Sequence, residues 1–129
     1  MCGTAGVFID QTRGDLRLNV VDTHGDASLT TDAGDIVDAR SGSGTALDAP
    51  NVIANTVNLW ADAGTIGQAV TTPFLANATS LANDVEIDSQ HYLAGTVGLR
   101  ATAGIYVTET ALKLDLVLAE ALTGDIRLT

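Results

Sequence analysis

The chain has 129 residues and is 46% apolar, enough for one domain with a continuous core, but only 4% aromatic with two prolines, so that core is made of small and β-branched side chains in many similar layers. Six Lys and Arg against sixteen Asp and Glu give a formal charge of -10, which repels a phosphate backbone and excludes a polybasic membrane anchor. No apolar run reaches the ~20 residues of a membrane helix.

The single Cys2 closes no intrachain disulfide, and no Cys/His spacing around it suggests zinc. No charged stretch followed by an apolar one opens the sequence, so an export signal is expected outside this chain or not at all. Thr4 to Thr12 then reads TAGVFIDQT and returns, after a period of about 98 residues, as TAGIYVTET, Thr102 to Thr110. The likeness continues: LRLNVVDTHGDASLT from Leu16 matches LDLVLAEALTGDIRLT from Leu114, with one residue inserted near Leu122. Self-similarity at a long period calls for a repeat fold before any other.

Inside that period, Ala-Gly pairs stand at Ala5-Gly6, Ala33-Gly34, Ala63-Gly64 and Ala103-Gly104, with glycine spacings of 28, 30 and 40. Ahead of the last three, ASLTTDAG, VNLWADAG and VGLRATAG share a template. Ala27, Val57 and Val97 fall in one slot and Leu29, Leu59 and Leu99 in another, and Ile126 and Leu128 extend both columns. Apolar residues at period 2 denote half-buried strands, and each glycine marks a turn. A second set of strands is expected ahead of the first: Leu16, Leu18 and Val20, then Leu47 or Asn51 to Ile53, then Val85 and Ile87, then Leu114, Leu116 and Leu118. A third follows the glycine, at Asp35 to Val37, Thr65 to Gly67, Ile105 to Val107 and Val7 to Ile9. It needs a bulge or one-residue slip, because Ile36 and Ile66 stand two residues past the glycine, whereas Val7 and Ile105 stand one. The longest glycine spacing holds about ten extra residues, expected as a loop over 71–83 that contains Pro73.

A unit of ~30 residues cannot bury its own apolar face and is stable only when stacked. The sequence therefore predicts an all-β, right-handed parallel β-helix: one β-solenoid segment over 1–129, about four coils of roughly 28–30 residues, the third carrying the longer loop. A sandwich or a set of hairpins fits less well, since the repeats match in one chain direction and the Asn-Gly and Asp-Gly hairpin pairs are missing.

GTIGQAVTTPFL from Gly64 to Leu75 and VGLRATAGIYVTET from Val97 to Thr110 resemble the repeat style of large exoproteins related to filamentous haemagglutinin, over most of the chain from about Gly14 onward. Phe74 follows Pro73 where that style more often has Leu. The resemblance implies a β-helix shaft, secreted or displayed on a bacterial surface, that serves adhesion or spacing. The function expected is a structural, adhesive module without catalysis. Its partners would be neighbouring repeats or identical subunits stacked end to end, and a host or glycan surface; nucleic acid and membrane insertion are not expected. The alternatives are a subunit that stacks head to tail into an extracellular filament, and a glycan-binding β-helix.

Arg13-Gly14-Asp15 spells the integrin-recognition tripeptide, but Gly-Asp recurs at Gly25-Asp26, Gly34-Asp35 and Gly124-Asp125, so a turn is its expected role. Asp32 and Asp62 share a slot and would stack near a corner, where surface calcium competes with a solvated acidic face; the glycine-rich calcium nonapeptide is missing. Trp60, between inward Leu59 and Ala61, points outward, to stack on a sugar or a neighbouring filament or to pack under the loop after Gly67. Asn77-Ala78-Thr79 matches a glycosylation sequon in form only. His24 and His91 lie far apart in the chain, with no adjacent nucleophile, nucleophile elbow or phosphate loop, so no catalytic site is expected.

Overall fold

The computed structural model describes residues 5–40, 49–68, 84–111 and 113–129. Among them are twelve strands and no helix: β1 (Val7–Gln11), β2 (Leu16–Leu18), β3 (Val21–Asp22), β4 (Ala27–Thr31), β5 (Ile36–Asp38), β6 (Val52–Ile53), β7 (Val57–Ala61), β8 (Val85–Asp88), β9 (Val97–Ala101), β10 (Ile105–Glu109), β11 (Leu116–Ala121) and β12 (Ile126–Leu128). Cys2, Leu47, the loop expected over 71–83 and the Asn77-Ala78-Thr79 triplet lie outside the described residues.

Every pairing among these strands is parallel. One sheet has the order β1-β4-β7-β9-β11. A second line runs from β2 to β5, then through the bridges Ile36–Ile66 and Ile66–Ile105 to β10 and β12. The third, β3-β6-β8, ends on the far half of β10, where Val107 and Glu109 lie beside Val85 and Ile87. The chain thus visits the first, second and third lines in turn and returns to the first one strand further on. We call each such passage a circuit.

Parallel pairing in register stacks equivalent residues ~4.8 Å apart. Ala27, Val57 and Val97 form one buried column, Leu29, Leu59 and Leu99 the next, and Thr31, Ala61 and Ala101 the third. Ile36, Ile66 and Ile105 form a fourth on the second line. Backbone bonds join the circuits between strands as well, such as Ala27 N–H to the Thr56 carbonyl at 2.8 Å and Ile66 N–H to the Gly104 carbonyl at 2.9 Å. The two central columns are those expected from the shared template, because that template carries both the alternation and the corner that closes it.

The outer circuits differ from expectation. The returns from Val7 to Ala27 and from Ala101 to Ala121 are short and equal, whereas the return from Ala27 to Val57 is half as long again and that from Val57 to Val97 twice as long. Among the described residues the chain returns to the first sheet four times, and the two shortest returns fall well below the expected repeat length. Val7 to Ile9 belong to the first sheet rather than the strands after the glycine. Leu16 and Leu18 pair with Ile36 and Asp38, and Leu116 and Leu118 with Val97 and Gly98, so neither pair joins Val52 and Ile87. Ile126 and Leu128 lie beside Ile105 and Val107, not in the columns of Val97 and Leu99. The physical reason is that glycine marks two corners. Gly14, Gly34 and Gly64 stack at one, and Gly6 and Gly25 approach the backbone of Asp26 and Ala5 at another, so Ala5-Gly6 is not the counterpart of Ala33-Gly34. The one-residue slip sits in the turn at Gly104, since Ile105 aligns with Ile66 and Ile36 despite standing one residue past its glycine. A further register shift lies between Leu116 and Leu118.

Candidate functional site

The first sheet is packed on one side and open on the other, because its strands alternate: in β7 the inward Val57, Leu59 and Ala61 are buried while Asn58 and Trp60 are exposed. Stacking turns the outward residues into two columns. Phe8, Ser28, Asn58, Gly98 and Leu118 form one, and Asp10, Thr30, Trp60, Arg100 and Glu120 the other. Trp60 points outward as expected, with 42% of its surface exposed. The Arg100 guanidinium lies over its ring, 4.9 Å from the centroid, a cation–π contact. Arg100 Nε is held in turn by Glu120 Oε2 at 3.0 Å.

Gly98 leaves a notch in this face. A groove of about 300 Å³ opens there, lined by Ser28, Asn58, Trp60, Gly98, Arg100 and Leu118 among others. Phe8, at the other end of the same column, is 74% exposed, and Leu118 and Val117 are exposed as well. Sequence reasoning picked Trp60 and missed Phe8, Gly98 and Arg100. The signal for Arg100 was present, since the template that aligns Leu59 with Leu99 also aligns Trp60 with Arg100.

The remaining candidates are dispersed. Arg13-Gly14-Asp15 forms the turn between β1 and β2, with Gly14 at φ 75°. Asp15 Oδ1 accepts the Asp35 N–H at 3.0 Å, and Asp35 Oδ1 accepts the Thr65 N–H at 2.7 Å. The Gly-Asp pair therefore carries a carboxylate ladder that ties one circuit to the next, which engages the Asp15 carboxylate that the tripeptide would present to a receptor. Asp32 and Asp62 do follow equivalent strand ends, after the paired Thr31 and Ala61, and their side chains are exposed. The described residues hold no group of three or more His, Cys, Asp or Glu placed to bind a metal ion.

His24 and His91, far apart in sequence, both meet Tyr92. His24 stacks on it at 3.7 Å, and His91 stands edge-on at 4.6 Å. The Tyr92 hydroxyl donates to Asp22 Oδ1 at 2.7 Å, and that bond is the main cause pushing its phenol above the ordinary range. His91 Nδ1 sits 3.2 Å from Asp88 Oδ2, while the nearby Ser89 hydroxyl donates to Glu109 Oε2 at 2.6 Å. Hydroxyl and imidazole thus turn to different carboxylates, and no nucleophile–base pair forms between them. No sequence signal marks this cluster, which depends on a loop crossing two circuits.

Two carboxyls are set into the third line. Asp84, fully buried, pairs with Arg127 and accepts the Thr108 hydroxyl at 3.0 Å. Burial pushes its carboxyl up, with Arg127 and Thr108 pulling the other way. Burial also raises Glu109, opposed by hydrogen bonds from Ser89 and Ala111. Both groups hold a proton more tightly in the fold than in the unfolded chain. Their stabilising contribution is therefore complete below the ordinary values, 3.8 and 4.5, and is lost as pH rises through the raised folded values. Self-repulsion of the -10 charge acts in the same direction. The urea midpoint is expected to rise as pH is lowered from neutrality toward the ordinary carboxyl values, and Asp84→Asn to flatten part of that rise; a midpoint that falls over that interval contradicts the assignment.

No described helix is long and apolar enough to cross a membrane. Comparison with protein-family models, with curated proteins and with solved structures finds no match.

Proposed function

We propose that the chain is a stretch of right-handed parallel β-helix that works as a structural and adhesive shaft module, without catalysis, in a large secreted or surface-displayed bacterial protein. The observation that carries this reading is the in-register parallel stacking of Leu29, Leu59 and Leu99, and of Ile36, Ile66 and Ile105. A chain that returns to the same sheet by a crossover, one strand further on, is the construction of a solenoid, and parallel crossovers are right-handed in about 98% of cases. Such a body gains length by adding circuits without changing its cross-section, which suits a spacer. The location and the adhesive role are what the resemblance of the chain's repeat style to the filamentous haemagglutinin-related exoproteins implies.

A second reading, head-to-tail self-assembly, is favoured by the outermost circuits. Ile126 continues the column of Ile105 yet is 44% exposed, and Leu16, which begins the same column beside Ile36, is only half-buried. Stacking the β2 edge of one copy on the β12 edge of another would continue that column as Leu on Ile and pair the open strand edges.

Joining two copies in tandem tests the shaft. Circuits that stack across the junction raise the thermal midpoint above that of one copy, by roughly 5 °C or more, because each added interface contributes to a one-dimensional array. Two copies that melt like one would refute the reading. Electron microscopy of the single chain decides the second: regular filaments of constant width are its expected result, and discrete short particles at every concentration would remove it.

A further inference from the structure

We propose that the outer face of the first sheet is a self-recognition surface, on which a second copy of this chain lies face to face with its strands parallel and its circuits stacked in the opposite order. The argument is one of matching. A two-fold axis that runs along the strand direction, midway between β4 and β7, places β1 of one copy against β9 of the other and β4 against β7. This operation keeps each outward column facing itself, so the contact is isologous and closed.

Four residue pairs then oppose each other, each occurring twice. Phe8, 74% exposed, meets the notch at Gly98, where the groove of about 300 Å³ opens between Trp60, Arg100, Asn58 and Leu118. Asp10 meets Arg100. Trp60 meets Thr30, and Asn58 meets Ser28. Each bulky side chain faces a small one, the acid faces the base, and amide faces hydroxyl. Large against small in facing layers is how packed sheets interdigitate, and opposite charges fix the register.

Arg100 is already extended across the face by its contacts with Trp60 and Glu120, so little ordering is left to be done on association. A saccharide is the other occupant an exposed tryptophan suggests, but the guanidinium of Arg100 covers one face of that ring and leaves a sugar less surface to stack on.

Four paired strands ~4.8 Å apart, each of five residues at ~3.3 Å, give a footprint of roughly 19 by 17 Å. That is small for an interface, so the dimer is weak for one segment, with a dissociation constant of order 100 µM. Repetition along two neighbouring shafts would multiply it. The ends of the stack take no part, which separates this contact from head-to-tail growth.

Sedimentation equilibrium of the full chain from about 10 µM to about 1 mM tests the idea. A reversible monomer–dimer equilibrium is expected, weakened at least tenfold by Phe8→Ala and by Arg100→Asp, with circular dichroism unchanged because both side chains are outward. Adding Asp10→Arg to Arg100→Asp restores association. A chain that stays monomeric throughout overturns the proposal, as does association indifferent to both substitutions, which would place the contact at the ends. Failure of the charge exchange to rescue overturns the register. A monomer that binds a polysaccharide through Trp60 would assign the face to a glycan instead.

Discussion

Leu59→Ala is expected to lower the free energy of unfolding by about 3–5 kcal/mol. Leu59 is 1% exposed and sits between Leu29 and Leu99 in register. The surroundings cannot collapse into the cavity, because backbone bonds hold the circuits on both sides at fixed spacing: Asp62 N–H to the Thr31 carbonyl at 2.9 Å below, and Thr102 N–H to the Ala61 carbonyl at 3.2 Å above. Ile126→Ala deletes as much carbon, yet its side chain is 44% exposed and its loss is expected to remove only about 1 kcal/mol. Urea unfolding of the two variants measures the contrast directly. Equal losses would mean that Leu59 lacks the two-sided packing its column gives it.

The central column was legible in the sequence for a definite reason. VNLWADAG and VGLRATAG repeat both the inward alternation and the corner that follows it, so phase and direction were set together. The first circuit was not legible, although TAGVFIDQT and TAGIYVTET are nearly alike. Alternating β-branched residues suit any inward-facing strand of such a stack, whichever line it occupies, so the likeness of β1 to β10 reports burial and not position. Only pairing distinguishes them, β1 with Ala27 to Thr31 and β10 with Val85 to Ile87. The length of the shortest circuit stayed hidden because two of the four return intervals, Ala27 to Val57 and Val57 to Val97, carry extra chain between the same strand positions.

The candidate face was half legible on the same grounds. Trp60 could be assigned outward from its neighbours, and Arg100 shares its slot, but the value of Phe8 and Gly98 lies in their opposition across a symmetry axis, which no local pattern encodes. The tripeptide Arg13-Gly14-Asp15 has a structural role at its corner. Its carboxylate accepts an N–H from the next circuit, as Asp35 does one circuit on, so a motif that recurs at corners is explained by the corner.

Gly64→Ala is expected to destabilise by about 3–5 kcal/mol, among the larger single-residue effects, although Gly64 has ordinary negative φ. The cause is contact. A Cβ built there overlaps the carbonyl oxygen of Gly34 and the Asp35 carboxylate of the circuit below. The oxygen belongs to backbone and cannot swing aside, so the corner itself must move. That movement strains the Thr65 N–H bond to Asp35 Oδ1 at 2.7 Å and the Ala103 N–H bond to the Gly64 carbonyl at 3.0 Å. Gly14 supplies the control, because it has the left-handed φ of 75° but open space where a Cβ would stand. Gly14→Ala therefore carries only the conformational penalty of about 1–2 kcal/mol. Ranking the two by urea midpoint separates close stacking of corners from simple turn geometry. If Gly14→Ala proves the more damaging, the glycines at this corner serve their own backbone angles, and the circuits do not approach one another there as closely as the fold requires.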